Sequence, residues 1–155
     1  MSTQSQQITV RPVDGDNWRE VSALTTTQAQ QAFVAEPNFY LALCCYDTWN
    51  PLAVYLGETV IGFMMWGLED ESCWLGGILI DQQYQGRGYG RRAVQEAIRV
   101  LTEQTGASEL ALSYRPTNAV ARHLYTSMGF VETGETEDGE VVARLKLSDL
   151  QGRSS

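Results

Sequence analysis

From Gln85 to Arg92 the chain reads Gln-Gly-Arg-Gly-Tyr-Gly-Arg-Arg. Gly86, Gly88 and Gly90 occupy every second position, threaded by Arg87 and Tyr89, and Arg91 and Arg92 come next. An apolar run containing Ile78, Leu79 and Ile80 comes just before, and a helical pattern starts inside the stretch. The chemistry such residues can do is anion binding. The first N–H groups of a helix have no partners within it. Glycine lets a ligand approach them, and the helix dipole favours negative charge there. The chain as a whole carries a net charge of -8, so the three arginines form a local exception within an acidic molecule.

A nucleoside triphosphate loop would need Gly-x-x-x-x-Gly-Lys followed by Ser or Thr, and no such segment occurs. A dinucleotide site is a stronger rival. Gly88 to Ala93 fits Gly-x-Gly-x-x-Ala, and Glu109 lies at a fitting distance for a ribose contact. Against it, Asp81 to Gln85 separate the strand from the glycines, and only one strand–helix–strand unit is evident. A second stretch with chemical potential is Asn118 to Phe130, which contains Tyr125. A phenol keeps its proton at neutral pH and can donate it; taken alone, Tyr125 reads rather as a core aromatic on an amphipathic helix. His123 is the only histidine, has no evident Ser or Cys partner, and reads as a surface residue. Cys44, Cys45 and Cys73 show no metal-ligand or disulfide spacing. Cys44 and Cys45 read as small core residues of a helix, the setting reads as reducing and cytoplasmic, and no metal is expected.

The elements that must position these groups are legible in the periodicity. Ile8 to Val13 reads as a strand, and a helix capped by Asp14 or Asp16 carries Trp18, Val21 and Leu24 on its inner face. Residues 25–37 read mostly as loop, and a second helix starts at Pro37. Three strands come next as a meander, with turns at Gly57-Glu58-Thr59 and Glu69-Asp70-Glu71. After the glycines, Ala93, Val94, Ala97, Ile98 and Leu101 share one helical face, and Gly106 ends the helix. A strand over residues 109–114, a helix opened by Asn118 and a hairpin around Asp138-Gly139 complete the chain. The expected class is α+β, with the strands on either side of the glycine helix as parallel neighbours. The 155 residues fit one domain, 1–155, with its core at 8–147. The opening residues lack a secretory pattern, and no apolar run is long enough to span a membrane. The acidic balance disfavours nucleic acid and suits a small cationic partner.

Gln85-Gly86-Arg87-Gly88-Tyr89-Gly90 resembles the Gln/Arg-x-x-Gly-x-Gly/Ala motif of the GNAT superfamily of N-acetyltransferases. Asn118 to Phe130 resembles that family's Asn-x-x-Ala-x-x-Leu-Tyr-x-x-x-Gly-Phe segment. The resemblance covers Ile8 to Leu147. Residues 35–67 are similar to bacterial spermine/spermidine acetyltransferases. The resemblance implies a mixed sheet of about seven strands flanked by helices, splayed between the fourth and fifth strands. It implies acetyl-CoA as acetyl donor, with its pyrophosphate on the N–H groups from Arg87 to Arg91. The pantetheine arm would run beside Ile78, Leu79 and Ile80, with Gln85, Tyr89 and Asn118 also in the cofactor site. Tyr125 would protonate the departing thiolate, and the N–H near Leu79 would polarise the acetyl carbonyl. An amine must lose a proton before it attacks. The strand residues Trp74 to Gly77 offer no base, so Glu71 and Glu69 at the strand mouth are the nearest candidates. Glu36, Glu69 and Glu71 would draw in a cationic polyamine. Aminoglycoside or other cationic-antibiotic acetylation, protein N-terminal or lysine acetylation, and a non-catalytic CoA-binding module are the alternatives. A homodimer is compatible with all of them.

Overall fold

A computed structural model describes residues 7–148; the closing residues Gln151 to Ser155, whose composition reads as a frayed tail, lie outside the described residues. The chain runs β1 (Ile8–Pro12), α1 (Trp18–Ser22), α2 (Gln28–Gln31), α3 (Pro37–Tyr46), β2 (Asn50–Leu56), β3 (Thr59–Glu69) and β4 (Ser72–Ile80). A 3-10 turn at Gln82–Tyr84 leads to α4 (Tyr89–Thr105), β5 (Glu109–Tyr114), α5 (Ala119–Ser127), β6 (Val131–Glu137) and β7 (Glu140–Lys146). The strands form one seven-stranded sheet in the order β1-β2-β3-β4-β5-β7-β6. Every neighbouring pair is antiparallel except β4 and β5. This is the mixed α+β architecture expected from the sequence.

Successive strand residues point to opposite faces, and each face is buried by its own helices. In β3, Ile61 and Met64 join the side on which α4 contributes Ala93, Val94, Ala97, Ile98 and Leu101. Phe63 and Met65 join the other side, with Val21 of α1 and the ring of Tyr40 from α3. The predicted apolar stripe of α4 is therefore its buried stripe, and Gly106 closes the helix at φ 68°.

Three local expectations are corrected. Asn17, rather than Asp14 or Asp16, is the N-cap of α1, although its side chain accepts from the Asp14 N–H and donates to Pro12 and Tyr55. Trp18 is 42% exposed, because a helix of five residues has too narrow a face to bury it with Val21. Cys73 is buried, but Cys44 is only half-buried and Cys45 is exposed, since adjacent helical residues point about 100° apart. Within the expected loop, Thr27 accepts a hydrogen bond from Gln30 and caps the single turn of α2.

Two irregularities in β4 open the sheet. Pairing with β3 runs Phe63↔Leu79 and then Met65↔Gly76, so β4 carries one extra residue in a bulge. Gly77 lies there at φ +57°, a conformation that L side chains rarely adopt, and a Cβ on it would sit 3.2 Å from the Tyr40 ring. On its other edge, β4 pairs with β5 only at Ser72↔Glu109, Cys73↔Leu110 and Trp74↔Ala111. Beyond Trp74 and Ala111 the two strands part, and the sheet opens as a V.

Candidate functional site

The V is the centre of a cleft of about 1350 Å³, lined by β4 from Trp74 to Ile80 on one side and by β5 from Leu112 onward on the other. Free edges leave backbone N–H and C=O groups on both arms. An extended ligand can pair with them as an added strand. Ile78, Leu79 and Ile80 all lie on this wall.

At the end of β4 the chain is fixed before it turns. Asp81 is buried and accepts from the Thr25 N–H at 2.9 Å and from the Gln83 N–H at 3.0 Å. Gln85 donates through Nε2 to the Ile80 carbonyl at 2.8 Å and to the side chain of Gln30. The Gln85 side chain thus holds the loop to β4 and α2. Gly86 and Gly88 come next at φ +76° and +79°, with nothing within 4 Å of a Cβ on either. These two glycines are required by their dihedrals, not by crowding. Gly88 is the N-cap of α4 and supplies no side-chain cap. The N–H groups of Tyr89, Gly90 and Arg91 therefore begin a 17-residue helix without intrahelical partners.

Gly86, Gly88, Tyr89 and Gly90 line the cleft, whereas Arg87 and Arg91 do not. The Arg87 guanidinium lies 6.0 Å from the Tyr84 ring centroid, and Arg91 donates to Ser127 Oγ at 2.6 Å. That second bond ties α4 to α5 beside the glycine turn. This loop fits a pyrophosphate: two left-handed glycines open the space, and the helix dipole points into it.

Asn118 caps α5 by accepting from the Ala121 N–H at 3.1 Å. Its side-chain amide N–H groups can still serve a ligand, and the residue lines the cleft. Seven residues on, Tyr125 is 8% exposed and also lines the cleft. Its ring stacks on Tyr114 at 6.0 Å and meets Phe130 edge-on at 5.9 Å. Burial holds its phenolic proton well above the ordinary value, and Tyr114 adds to this. Among the described residues no group hydrogen bonds its hydroxyl. A hydroxyl on a nearly buried ring, at a cleft wall and unpartnered among the described residues, is suited to a ligand atom.

The remaining predicted residues are not brought together. Glu69 lines the cleft. Glu71 does not. It borders a separate depression with Asp70, Ser108, Glu109 and Lys146, and its carbonyl accepts from the Ser108 N–H. The structure places Glu71 just before β4, at the closed end of the V, whereas the bulge and free edge lie at the other end of the strand. Glu36 is exposed at the N-cap of α3 and outside the lining, although Val34 and Phe39 on either side belong to it. Glu109, the residue a dinucleotide reading would place on a ribose, instead bonds Ser72 and Arg144 at the closed end. His123 is exposed, as expected.

Sequence reasoning missed the far side of the cleft. Tyr40, Trp49 and Trp74 stand there with Glu137, Asp138 and Glu140 of the β6–β7 hairpin. The hairpin's alternation of acidic and small residues reads as a solvated turn, and only the sheet order, with β7 beside β5, carries it to the cleft.

Comparisons with known proteins agree with this geometry. A model of the acetyltransferase (GNAT) family matches residues 18–130. A spermine/spermidine N(1)-acetyltransferase of Bacillus subtilis (strain 168) is 30% identical over 151 residues, covering 90% of this chain and 99% of the relative. Among solved structures, the aminoglycoside acetyltransferase AAC(6')-Ib in complex with coenzyme A superposes with TM-score 0.77 at 14% identity, over 96% of this chain and 100% of that one. The PaiA N-acetyltransferase of Thermoplasma acidophilum in complex with coenzyme A gives TM-score 0.68 at 16% identity, over 90% and 99%. At such identities the two structures establish the shared fold.

Proposed function

The chain belongs to the GNAT family of acetyltransferases and is an acetyl-CoA-dependent N-acetyltransferase, and we propose that the amine it acetylates is a small polyamine such as spermine or spermidine. The observation that carries this reading is the lining of the acceptor half of the cleft. Glu69, Glu137, Asp138 and Glu140 supply negative charge, and Phe39, Tyr40, Trp49 and Trp74 supply apolar and aromatic surface between them. A polyamine has the same alternation: ammonium groups separated by methylene chains. Carboxylates attract the charges, ring faces cover the methylenes, and the rings also favour a nearby cation. The 30% identity to a spermine/spermidine acetyltransferase supports the same choice.

Within this reading the residues take defined parts. Acetyl-CoA supplies the acetyl group as a thioester. The N–H groups from Tyr89 to Arg91 hold its pyrophosphate, and the free edge of β4 from Ile78 to Ile80 pairs with its pantetheine arm. The bulge at Gly77 and Ile78 turns backbone N–H groups out of the β3 ladder, where one can polarise the acetyl carbonyl. Asn118 donates to the arm. Tyr125 offers its hydroxyl proton to the sulfur as it departs. The three thiols of the described residues are free, which suits the proposed cytoplasmic location. The test is an acetylation assay across polyamines, monoamines, aminoglycosides and peptide N-termini. Spermine and spermidine should give the highest kcat/KM; a peptide or aminoglycoside giving the highest value would replace the acceptor and leave the enzyme class in place.

A further inference from the structure

With Glu71 at the closed end of the V, the proton of the attacking ammonium needs another acceptor. We infer that Glu140, the first residue of β7, takes that proton, and that Ser113 of β5 holds its carboxylate in position; the inference rests on the acetyltransferase reading of the site. Three observations converge on it. Ser113 Oγ donates to Glu140 Oε1 at 2.7 Å. Among the four carboxylates that line the acceptor half, Glu69, Glu137 and Asp138 are exposed and Glu140 is half-buried. The third observation is register. Trp74↔Ala111 is the last β4–β5 pair before the strands part, so two residues further along each strand Ser113 stands across the gap from Gly76, next to the bulge at Gly77.

The faces agree as well. Leu112 and Tyr114 point into the core on the α4–α5 side, so Ser113 between them points to the α3 side. Gly76 faces that side too, since a Cβ on it would meet Met65 and Trp49. Tyr40, whose ring lies against Gly77, feels the carboxylate: burial raises its phenolic pKa first, the Ala35 N–H lowers it, and the Glu140 charge raises it further. Tyr125 belongs to the α4–α5 side. The slot therefore has a proton donor on one face of the sheet and a proton acceptor on the other. Donor thioester and acceptor amine can enter from opposite sides. Besides Tyr40 of α3, the ionisable groups on this part of the cleft are Glu69 of β3, Arg115 after β5, and Glu137 and Asp138 of the hairpin.

The step balances. The ammonium gives a proton to the Glu140 carboxylate, and the freed nitrogen lone pair forms the C–N bond to the acetyl carbon. The C–S bond breaks, its electron pair stays on sulfur, and the thiolate takes a proton from Tyr125. The surplus proton of the new amide nitrogen returns to Tyr125 through water, and Glu140 releases its proton to solvent.

The experiment is Glu140→Gln, with Ser113→Ala and Glu71→Gln alongside. It reads kcat and KM for spermidine from neutral to alkaline pH, and acetyl-CoA affinity by calorimetry. Glu140→Gln should lower kcat at neutral pH by about 10²-fold or more and leave acetyl-CoA affinity unchanged. The loss should shrink as pH approaches the amine pKa near about 10, where free amine is abundant. Ser113→Ala should lose less, and Glu71→Gln should behave as wild type. Glu140→Asp serves if the glutamine variant fails to fold, and should keep the wild-type pH profile at a reduced rate. Wild-type kcat in Glu140→Gln, or a loss equal at every pH, would overturn the inference. If the wild type acetylates some other amine best, the same variants are read with that amine, so the polyamine reading can fail while this one stands. A wild type inert towards every amine would overturn both.

Discussion

Tyr125 and Glu140 show what a single residue discloses and what it withholds. The position of Tyr125 on the cleft wall was legible from the Asn118 to Phe130 segment, and the structure gives it a buried ring and a hydroxyl with no hydrogen-bond partner among the described residues. Replacing it with Phe keeps the stacking on Tyr114 and the edge contact with Phe130, and removes only the donor. Tyr125→Phe should lower kcat by about 10²–10⁴-fold, with acetyl-CoA affinity close to wild type, because the proton moves only as the sulfur departs. An unchanged kcat under conditions where chemistry limits the rate would reduce Tyr125 to a packing residue. Glu140 was not legible. Its position beside an Asp-Gly turn marks it as hairpin, and its partner Ser113 lies 27 residues earlier. Long-range pairing of that kind leaves no trace in local spacing. Glu71 shows the converse: its nearness to β4 in sequence said nothing about which end of the strand is open.

The element we propose for the donor site is the turn into α4, and here the sequence was clear about glycine and vague about why. Alternating glycines suggested close approach of a ligand, yet only Gly86 and Gly88 have positive φ, and Gly90 is helical. The distinction gives a paired prediction. Gly88→Ala forces a Cβ into a left-handed conformation costing about 1–2 kcal/mol, which should lower stability by that order and weaken acetyl-CoA binding. Gly90→Ala places a methyl 3.8 Å from Ile80 Cγ1, an ordinary contact, so stability and affinity should stay near wild type. Calorimetry and thermal unfolding on both variants check this, and equal effects would exclude the turn geometry as the cause. The strand meander, the amphipathic α4 and the final hairpin were all read from periodicity and turn residues. The bulge in β4 was not, because it depends on how β3 and β4 pair past Gly62, where a Cβ would lie 2.6 Å from the Leu79 carbonyl oxygen.

At the scale of the molecule, the sheet is closed at one end and open at the other, and side chains hold the closed end. Ser72 of β4 donates to Glu109 of β5 at 2.6 Å, and Arg144 of β7 bonds both Ser72 and Glu109 while reaching Glu135 of β6. The Ser72 hydroxyl first, and the Arg144 guanidinium with it, hold the Glu109 carboxyl below the usual carboxylate range. A depressed folded-state value stabilises the protein above the unfolded-state value, and that stability is lost as pH falls through the folded-state value. The unfolding temperature should therefore drop as pH goes from about 5 to about 3, and Glu109→Gln should flatten part of that drop; an identical acid profile in the variant would exclude this clamp. The parallel β4–β5 pair was foreseen from the sequence, but its splay was implied only by the family resemblance, since splaying is a property of the assembled sheet. The open end gives the cleft its acidic and aromatic half, and we propose that this half selects a polyamine for acetylation. The most direct measurement is the ratio of kcat/KM for spermidine to that for butylamine, with acetyl-CoA saturating, at low and at high salt. The expected ratio is well above one and falls as salt screens the carboxylates of the cleft; a ratio at or below one at every salt concentration would contradict the claim.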